Sequence, residues 1–392
     1  MTPSARVQSA IEILDLIIVG ARSGGAPADR IIAEWFKTRR YAGSGDRRAV
    51  RELAYAAIRA CGEIPVSGRA AMLRVAKGDA ALTRLFDGSP HAAAPVASGD
   101  AVAAAGIAPR WLTEALAASD IGGDEAAALL GRAPLDIRVN SLNASREEAE
   151  LPIVGEPTVA ANGLRLPFGT PVDQWEAFAS GQIEVQDTGS QLACEAVGAK
   201  AGETVIDLCA GSGGKTLALA AAMDNRGILL ACDSDRRRLS QLPPRAERAG
   251  ATIIETLLLN PEAEATALEA QQGKADAVLV DAPCSGTGTW RRNPEARWRL
   301  NPKELAKLVA LQARLLDLAA GLVRPGGRLV HVVCSLLDAE GADQIAAFLE
   351  RNPGWRAEPL ALPAGSPRGA GLRLTPGQDG TDGFFIARLE RL

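Results

Sequence analysis

Two cysteine residues follow two strand-like stretches and are the residues of this chain best suited to chemistry. An apolar run over 277–280 ends in an acid and a thiol, Asp281 and Cys284, and a second run over 328–333 ends in Cys334. Runs of this length are typical of buried strands. The ligand crevice of an open α/β sheet lies outside the carboxyl ends of its strands. If the two strands are neighbours, about 5 Å apart, both thiols open into one crevice.

A thiol pair in such a crevice suits attack on a pyrimidine ring. A thiolate is a strong nucleophile once its pKa is lowered. Carbon 5 of a pyrimidine is a poor nucleophile until a group adds at carbon 6, and cysteine addition makes carbon 5 enamine-like. After methyl transfer, loss of the carbon 5 proton expels the cysteine. The alternative for each thiol is a buried core cysteine, the commonest fate of a free one.

A glycine-rich turn, D-L-C-A-G-S-G-G-K-T over 207–216, follows an earlier strand and predicts a nucleotide-like cofactor. A phosphate-binding loop, G-x-x-x-x-G-K-T, is excluded because Cys209 occupies its first glycine position. A dinucleotide fingerprint, G-x-G-x-x-G, is excluded because Thr216 or Lys215 stands where glycine is required. The remaining pattern, D-x-x-x-G-x-G, is typical of adenosylmethionine-dependent methyltransferases. A glycine-rich connector that binds nothing is the alternative.

An acid at the end of the next strand, Asp233, lies about 20 residues beyond the loop, where it can accept hydrogen bonds from ribose hydroxyls. Asp235 is expected to cap the following helix instead. The cofactor is predicted to be S-adenosyl-L-methionine. The residues predicted to bind it are Cys209, Ala210, Gly211, Ser212, Gly213, Gly214, Lys215, Asp233, Arg238 and Asp281.

The formal net charge of −4 gives no support to a generally cationic nucleic-acid binder, so RNA must be met by local patches. Two candidates are 37–51 and 290–299. In the second stretch, 290–299, Arg291, Arg292 and Arg297 are predicted to bind RNA, with a solvated helix face as the alternative.

Six cysteines without a C-x-x-C pair, and only two histidines, predict no metal site. With no apolar run of about 18 residues and no signal-peptide pattern, we expect a cytoplasmic protein without a membrane segment.

Strand and helix patterns alternate from residue 202 onward and predict an α/β fold with a doubly wound sheet. Strands are expected over 204–208, 228–232, 252–257, 277–280, 328–333 and 383–389, with a long helix over 302–322. The predicted domains are a helical accessory domain (1–62), a helical linker (63–133), a small α+β module (134–185) and a catalytic domain (186–392).

Three blocks carry a family resemblance. D-L-C-A-G-S-G-G-K-T, D-A-P-C-S-G-T-G-T-W-R-R-N-P-E-A-R-W and V-V-C-S-L-L-D-A-E resemble the signature blocks of the RsmB/Sun/Nop family of RNA cytosine-C5 methyltransferases. The resemblance covers 185–392. Residues 1–60 more loosely resemble a shortened NusB-like RNA-binding domain, and 134–185 are similar to the family's small module. The resemblance implies a class I, Rossmann-like methyltransferase sheet and ribosomal RNA, in particular 16S rRNA, as the partner; we expect a monomer.

The resemblance also implies roles for four residues. Cys334 would be the nucleophile, and Cys284 would help to release the methylated product. Asp281 would contact the cytosine edge or the methionine end of the cofactor, and Lys215 would lie beside the cofactor loop. An aspartate often found after the third strand is absent here. Asn260 is the nearest polar candidate, which leaves the adenine-side contact open.

These observations predict an adenosylmethionine-dependent enzyme that methylates carbon 5 of a cytosine in RNA. One alternative is an RNA-binding ribosome-assembly factor without turnover, against which the presence of both cysteines argues. The other is a DNA cytosine methyltransferase, in which Cys284 would be the attacking thiol.

Overall fold

The computed structural model describes all 392 residues, which form two compact units. The first unit combines Met1–Gly131 with Thr289–Pro302, and the second combines Arg132–Gly288 with Lys303–Leu392. The predicted division of the chain therefore differs from the observed one. Most of the predicted linker belongs to the same unit as the first helices, and a stretch of the predicted catalytic domain belongs there too.

The first unit is helical. Its helices are α1 (Pro3–Ser23), α2 (Ala28–Lys37), α3 (Ser44–Ala60), α4 (Gly68–Ala76), α5 (Ala80–Thr83), α6 (Arg110–Ala118) and α7 (Gly123–Ala128), and the later short helix α14 (Ala296–Arg299) joins them. Helix α1 begins where the Thr2 side chain accepts a hydrogen bond from the Ala5 N–H, and ends at Gly24 in the left-handed region. Its apolar side chains recur at helical spacing and are buried against the other helices.

The second unit contains a small antiparallel sheet. Its strands are β1 (Leu135–Val139), β2 (Glu156–Pro157), β3 (Gly163–Leu166) and β4 (Ile183–Val185), in the order β2-β3-β1-β4, with helix α8 (Glu176–Ala179) before β4. Ile137, Leu164 and Ile183 are buried in one apolar cluster on this sheet. The prediction of an α+β module in this region is confirmed.

The large sheet has nine strands and the predicted α/β fold is confirmed. Along the chain come α9 (Thr188–Val197), β5 (Thr204–Asp207), α10 (Gly214–Ala222), β6 (Ile228–Asp233), α11 (Arg236–Leu239), α12 (Leu242–Ala249), β7 (Ile254–Leu258), α13 (Glu264–Ala267) and β8 (Ala275–Asp281). After them come α15 (Pro302–Leu322), β9 (Val323–Val333), α16 (Ala342–Arg351), β10 (Trp355–Glu358), β11 (Ser366–Arg368), β12 (Gly371–Leu374) and β13 (Phe384–Arg391).

The strand order is β11-β12-β13-β9-β8-β5-β6-β7, and β10 also pairs with β13. Strands β5 to β9 are parallel, whereas β13 is antiparallel to β9. Because the chain runs from β5 through β6 to β7 and then crosses to β8, the order reverses between β5 and β8. Ligands of doubly wound sheets bind at such a switch point.

Side chains of the central strands alternate between two apolar layers. Val205 and Val330 pack in one layer, and Ile206 and Leu329 in the other. Helices cover both faces, so the middle residues of these strands are mostly apolar, as the apolar runs in the sequence indicate. None of the helices is both long and apolar enough to span a bilayer.

The segment Thr289–Pro302 ties together the ends of three helices in the first unit. The Glu295 carboxylate accepts a hydrogen bond from the Ala28 N–H at the start of α2. Arg299 donates to the carbonyls of Gly25 (2.8 Å) and Ala26 (2.6 Å), just after α1. Arg297 donates to the carbonyl of Ile58 near the end of α3. Helix ends leave such N–H and C=O groups without partners inside the helix.

The prediction that Arg297 binds RNA phosphates is wrong for this structure. Its side chain is 0% exposed, and its guanidinium donates to the carbonyls of Ile58 (2.6 Å), Cys61 (3.0 Å) and Pro294. Burial lowers the pKa of Arg297 to about 10, so the group stays charged at neutral pH. Arg291 is also buried, at 7% exposure, whereas Arg292 is half-buried.

Replacing Arg297 by alanine should destabilise the helical unit. The change removes three hydrogen bonds from a charged donor, but the Ile58 carbonyl keeps the Cys61 N–H and the Cys61 carbonyl keeps the Trp298 Nε1–H as donors. We therefore expect the free energy of unfolding to fall by about 2–4 kcal/mol. Calorimetric unfolding measures this loss. The matched control is Arg110→Ala, whose side chain is 88% exposed beside Glu114, so its loss should leave the free energy of unfolding nearly unchanged. Parental stability together with weakened RNA binding in the Arg297 variant would restore the phosphate-binding interpretation.

Candidate active site

The two thiols lie at the carboxyl ends of adjacent parallel strands. β8 and β9 pair with Asp281 opposite Val332, and Cys284 and Cys334 follow just beyond. Their sulfur atoms are 3.3 Å apart. The prediction that both thiols open into one crevice is confirmed, since both line the same cavity.

The two thiols influence each other directly. The hydrogen bond with Cys334, and then burial, raise the pKa of Cys284 well above its usual range. Cys284 therefore retains its proton at neutral pH. The Cys284 sulfur lies 3.3 Å from the Cys334 sulfur, so its S–H can donate a hydrogen bond to the Cys334 sulfur.

A buried carboxylate lies between the two thiol-bearing loops. Glu340 is 0% exposed, and its oxygens accept hydrogen bonds from the Ser285 N–H (2.8 Å) and the Ser335 hydroxyl (2.5 Å). The Ser285 hydroxyl and the Gln312 amide (3.0 Å) also donate to it. Ser285 follows Cys284 and Ser335 follows Cys334, so one side chain contacts the residue after each thiol.

An ion pair holds Asp281, the last residue of β8. The Lys215 Nζ lies 2.7 Å from the Asp281 Oδ2. Burial alone would lower the pKa of Lys215, but the charge of Asp281, together with the hydrogen bond, outweighs burial and raises it. Lys215 is thus a permanent cation, and it connects the glycine loop to the strand that carries Cys284.

The glycine loop is held by Asp233. The Gly211 N–H donates to the Asp233 Oδ2 (2.7 Å), and the Asp235 N–H donates to the Oδ1 (2.7 Å). Gly211 has φ +58°, in the left-handed region that glycine adopts without strain. Asp235 caps α11, as predicted. No side chain caps the start of α10 after Gly213, so backbone N–H groups are available to a ligand there.

Asp207 closes the other side of the switch point. It is fully buried, and its Oδ2 accepts a hydrogen bond from the Thr216 hydroxyl (2.7 Å). Burial raises the pKa of Asp207 to about 7, an effect that the Thr216 hydrogen bond only partly offsets. The hydrogen bond from Thr216 to Asp207 therefore joins helix α10 to strand β5, and the Asp207 carboxyl is only partly ionised at neutral pH.

A cavity of about 410 Å³ opens at these strand ends. Its volume lies within the range of about 300–1,000 Å³ typical of small-ligand pockets. Among the predicted site residues, Cys209, Asp233, Arg238, Asp281, Cys284 and Cys334 line it. Ala210, Gly211, Ser212 and Gly213 lie in the loop between β5 and α10, and Gly214 is the first residue of α10. Lys215 reaches the site through Asp281. Arg291, Arg292 and Arg297 lie in the other unit.

The sequence interpretation missed the far wall of the cavity, which is formed by Leu259, Glu264, Leu311, Arg314 and Leu315. Both terminal nitrogens of Arg314 donate hydrogen bonds to the Glu264 carboxylate, Nη1 to Oε2 at 2.9 Å and Nη2 to Oε1 at 3.0 Å. Asn260, the polar candidate named for this side, is exposed and does not line the cavity. The spacing of 311, 314 and 315 along α15 could have indicated one helix face, but only the sheet order shows that this face meets the cavity.

These features suit adenosylmethionine. The cavity joins an acid placed for ribose hydroxyls, Asp233, to apolar walls at Leu259 and Leu311, which suit a purine ring. The loop at Gly211 and Gly213 lets backbone amides approach a ligand closely.

Comparison with known proteins agrees with this geometry. Residues 195–390 match the model of the family described as 16S rRNA methyltransferase RsmB/F. The ribosomal RNA small subunit methyltransferase B of Xanthomonas campestris pv. campestris is 37% identical over 292 residues, which is 72% of this chain and 66% of that protein. The probable methyltransferase of the same name from Bacillus subtilis is 33% identical over 301 residues, with the same coverage of both chains. The match to the probable methyltransferase B of Synechocystis, at 36% identity, spans 66% of this chain and 60% of that protein. The chain thus spans slightly less than two thirds of the length of these relatives.

Solved structures show the same fold. The crystal structure of PH0851 aligns with a TM-score of 0.74 and 26% identity, covering 100% of this chain and 99% of that one. A methyltransferase homologue from Pyrococcus horikoshii aligns with a TM-score of 0.59 and 28% identity, covering 68% of this chain and 90% of that one. Because the family model matches half of its residues, this chain belongs to the RsmB/F family of 16S rRNA methyltransferases.

Proposed function

We propose that this protein transfers a methyl group from S-adenosyl-L-methionine to carbon 5 of a cytosine in ribosomal RNA. The observation that carries the proposal is the 3.3 Å approach of the Cys284 and Cys334 sulfur atoms at the mouth of one cavity. The relatives are small-subunit ribosomal RNA methyltransferases by name, which supports a small-subunit ribosomal RNA as the substrate.

The chain's own residues would hold the cofactor along the cavity. Asp233 would accept hydrogen bonds from the ribose, and the backbone N–H groups at the start of α10, which no side chain caps, would face the ligand. Leu259, Glu264 and Arg314 would form the adenine side. When bound there, adenosylmethionine supplies the methyl group.

Cys334 would carry out the covalent step. Its sulfur would add to carbon 6 of the cytosine and make carbon 5 nucleophilic toward the methyl group that the cofactor supplies, with adenosylhomocysteine as the leaving group. Loss of the carbon 5 proton to solvent would then re-form the 5,6 double bond, and the bond between sulfur and carbon 6 would break with its electron pair leaving on the Cys334 thiolate. Cys284 would assist this release. The resemblance of the blocks around both thiols to the RsmB/Sun/Nop family supports Cys334 as the attacking thiol, in contrast to the arrangement expected for a DNA methyltransferase.

Asp281 would orient the base or the cofactor. Its Oδ2 is paired with Lys215, and its Oδ1 accepts no hydrogen bond within the protein. That oxygen is available to a donor such as the exocyclic amine of cytosine or the amine of the methionine end.

Adenosylmethionine should bind without RNA, and Asp233→Ala should weaken the binding. We expect a loss of about 1–3 kcal/mol in isothermal calorimetry, from the lost charged hydrogen bonds and the released Gly211 amide. The matched control is Asp317→Ala, since Asp317 is half exposed on α15 and does not line the cavity. Equal affinity of the two variants would remove Asp233 from the cofactor site.

Alanine variants of the two thiols should separate their roles. Cys334→Ala should form no covalent RNA adduct and transfer no methyl group, because nothing else activates carbon 5. Cys284→Ala should still attack but release slowly, and so accumulate a protein–RNA adduct that survives denaturing electrophoresis. The measurements use small-subunit RNA from cells lacking the protein and labelled adenosylmethionine.

Cys232→Ala is the matched control, because Cys232 is buried in β6 and does not line the cavity. The reverse pattern, with an adduct trapped in Cys334→Ala, would make Cys284 the nucleophile. Methylation that persists in both thiol variants would rule out the covalent mechanism. RNA binding without methylation by the parent protein would favour an assembly factor.

A further inference from the structure

Glu340 is a carboxylate buried without a cation. Its four hydrogen-bond donors are neutral groups of Ser285, Ser335 and Gln312, and no arginine or lysine pairs with it. His331 donates its Nε2–H to the Glu340 carbonyl (3.0 Å) but cannot act as a counter-ion, since burial lowers its pKa to about 4. A charge buried in this way is expensive, and an apolar side chain of similar volume would stabilise the fold more.

The donors of Glu340 come from the two thiol-bearing loops and from the helix beside them. Ser285 is the neighbour of Cys284 and Ser335 the neighbour of Cys334. Gln312, on α15, donates both to the Glu340 Oε1 and to the Pro283 carbonyl (2.9 Å), on the other side of Cys284. The Cys284 loop is therefore held before and after its thiol by a network centred on one carboxylate.

We propose that Glu340 is a positioning residue that fixes the Cys284 loop against the Cys334 loop at the sulfur separation that methyl transfer requires. The catalytic consequence rests on the proposed function, whereas the positioning itself does not. A carboxylate suits this task because its two oxygens can accept all four donors and no donor of its own competes with them. Hydrogen bonds to an ionised acceptor are also shorter and stronger than those between neutral groups, so the loops are held tightly.

Two variants separate geometry from charge. Glu340→Ala removes every acceptor. Glu340→Gln keeps an oxygen for the Ser285 N–H and the Gln312 amide, and its own amide can donate to the two serine hydroxyls, which can reverse their direction. Glu184→Ala is the matched control, since Glu184 is a buried carboxylate of the same unit that pairs with Arg245 and Arg248 instead of the thiol loops.

The first measurement is disulfide cross-linking of Cys284 to Cys334 by diamide, followed by peptide mapping, which needs neither RNA nor cofactor. Glu340→Ala should cross-link at least about tenfold more slowly than the parent, because the sulfur atoms lose their fixed proximity. Glu340→Gln and Glu184→Ala should cross-link at about the parental rate. A destabilisation without loss of positioning would not produce this difference.

The second measurement is single-turnover methyl transfer at saturating RNA. Glu340→Ala should slow it by about 100-fold with adenosylmethionine affinity unchanged, as expected for reacting groups displaced by about 1 Å. Glu340→Gln should restore most of the rate. If Glu340→Ala does not fold, Glu340→Asp, which is one methylene shorter, takes its place in both measurements.

Parental cross-linking in Glu340→Ala, or in Glu340→Asp where that variant replaces it, would overturn the proposal whatever happens to turnover. Slow cross-linking with a parental turnover rate would overturn it too, since the positioning would then have no catalytic role. If the parent protein itself transfers no methyl group, the proposed function fails, and the cross-linking rates still decide whether Glu340 positions the thiols.

Discussion

The parallel pairing of β8 with β9 is the constraint on which the site depends. Backbone hydrogen bonds fix Asp281 opposite Val332, so both chains leave the sheet at the same edge. Adjacent strands are about 5 Å apart, which brings the thiols that follow them within reach of each other. A slip of one residue in this register would turn every side chain of one strand to the opposite face. The apolar layers on both faces of the sheet therefore specify the chemistry as well as the fold.

Around that edge, the acids are stabilised in different ways. Asp281 pairs with Lys215, Asp233 and Glu340 accept hydrogen bonds from neutral donors, and Asp207 has its pKa raised to about 7. Burying charges costs free energy even when they are paired. The buried apolar side chains of the strands beneath the site supply the stability that offsets this cost. Such a concentration of buried acids at strand ends is typical of functional sites.

Much of the fold and site followed from local signals. Asp233, Asp281, Cys284 and Cys334 could be placed because an apolar run marks a strand, and its end marks a sheet edge. The helix over 302–322 was predicted with its observed bounds. Residues 236–249 form two helices, α11 and α12, because Pro243 lies in the first turn of the second, which starts at Leu242.

Other features depend on contacts between distant parts of the chain and could not be predicted. Arg297 is buried and donates hydrogen bonds to carbonyls more than 200 positions away in the sequence. The arginine-rich sequence around it would suit a phosphate-binding patch equally well. The cavity wall at Glu264 and Arg314 comes from two helices that only the strand order brings together. Helices between 63 and 131 are short and rich in alanine, so their periodicity is too weak to assign them to the helical unit.

The loop that carries Cys284 is held at its far end as well as beside the thiol. The Gly288 N–H donates to the Cys334 carbonyl (3.0 Å), and the Gly383 N–H donates to the Gly288 carbonyl (2.8 Å). A Cβ on Gly288 would lie 2.1 Å from the Gly383 oxygen, so no other residue fits there without moving the backbone. The two thiols are therefore set by the backbone at Gly288 and by the carboxylate of Glu340. With the loops held at both points, the reacting geometry depends on how a base enters the cavity more than on loop movement, as expected for a preorganised site.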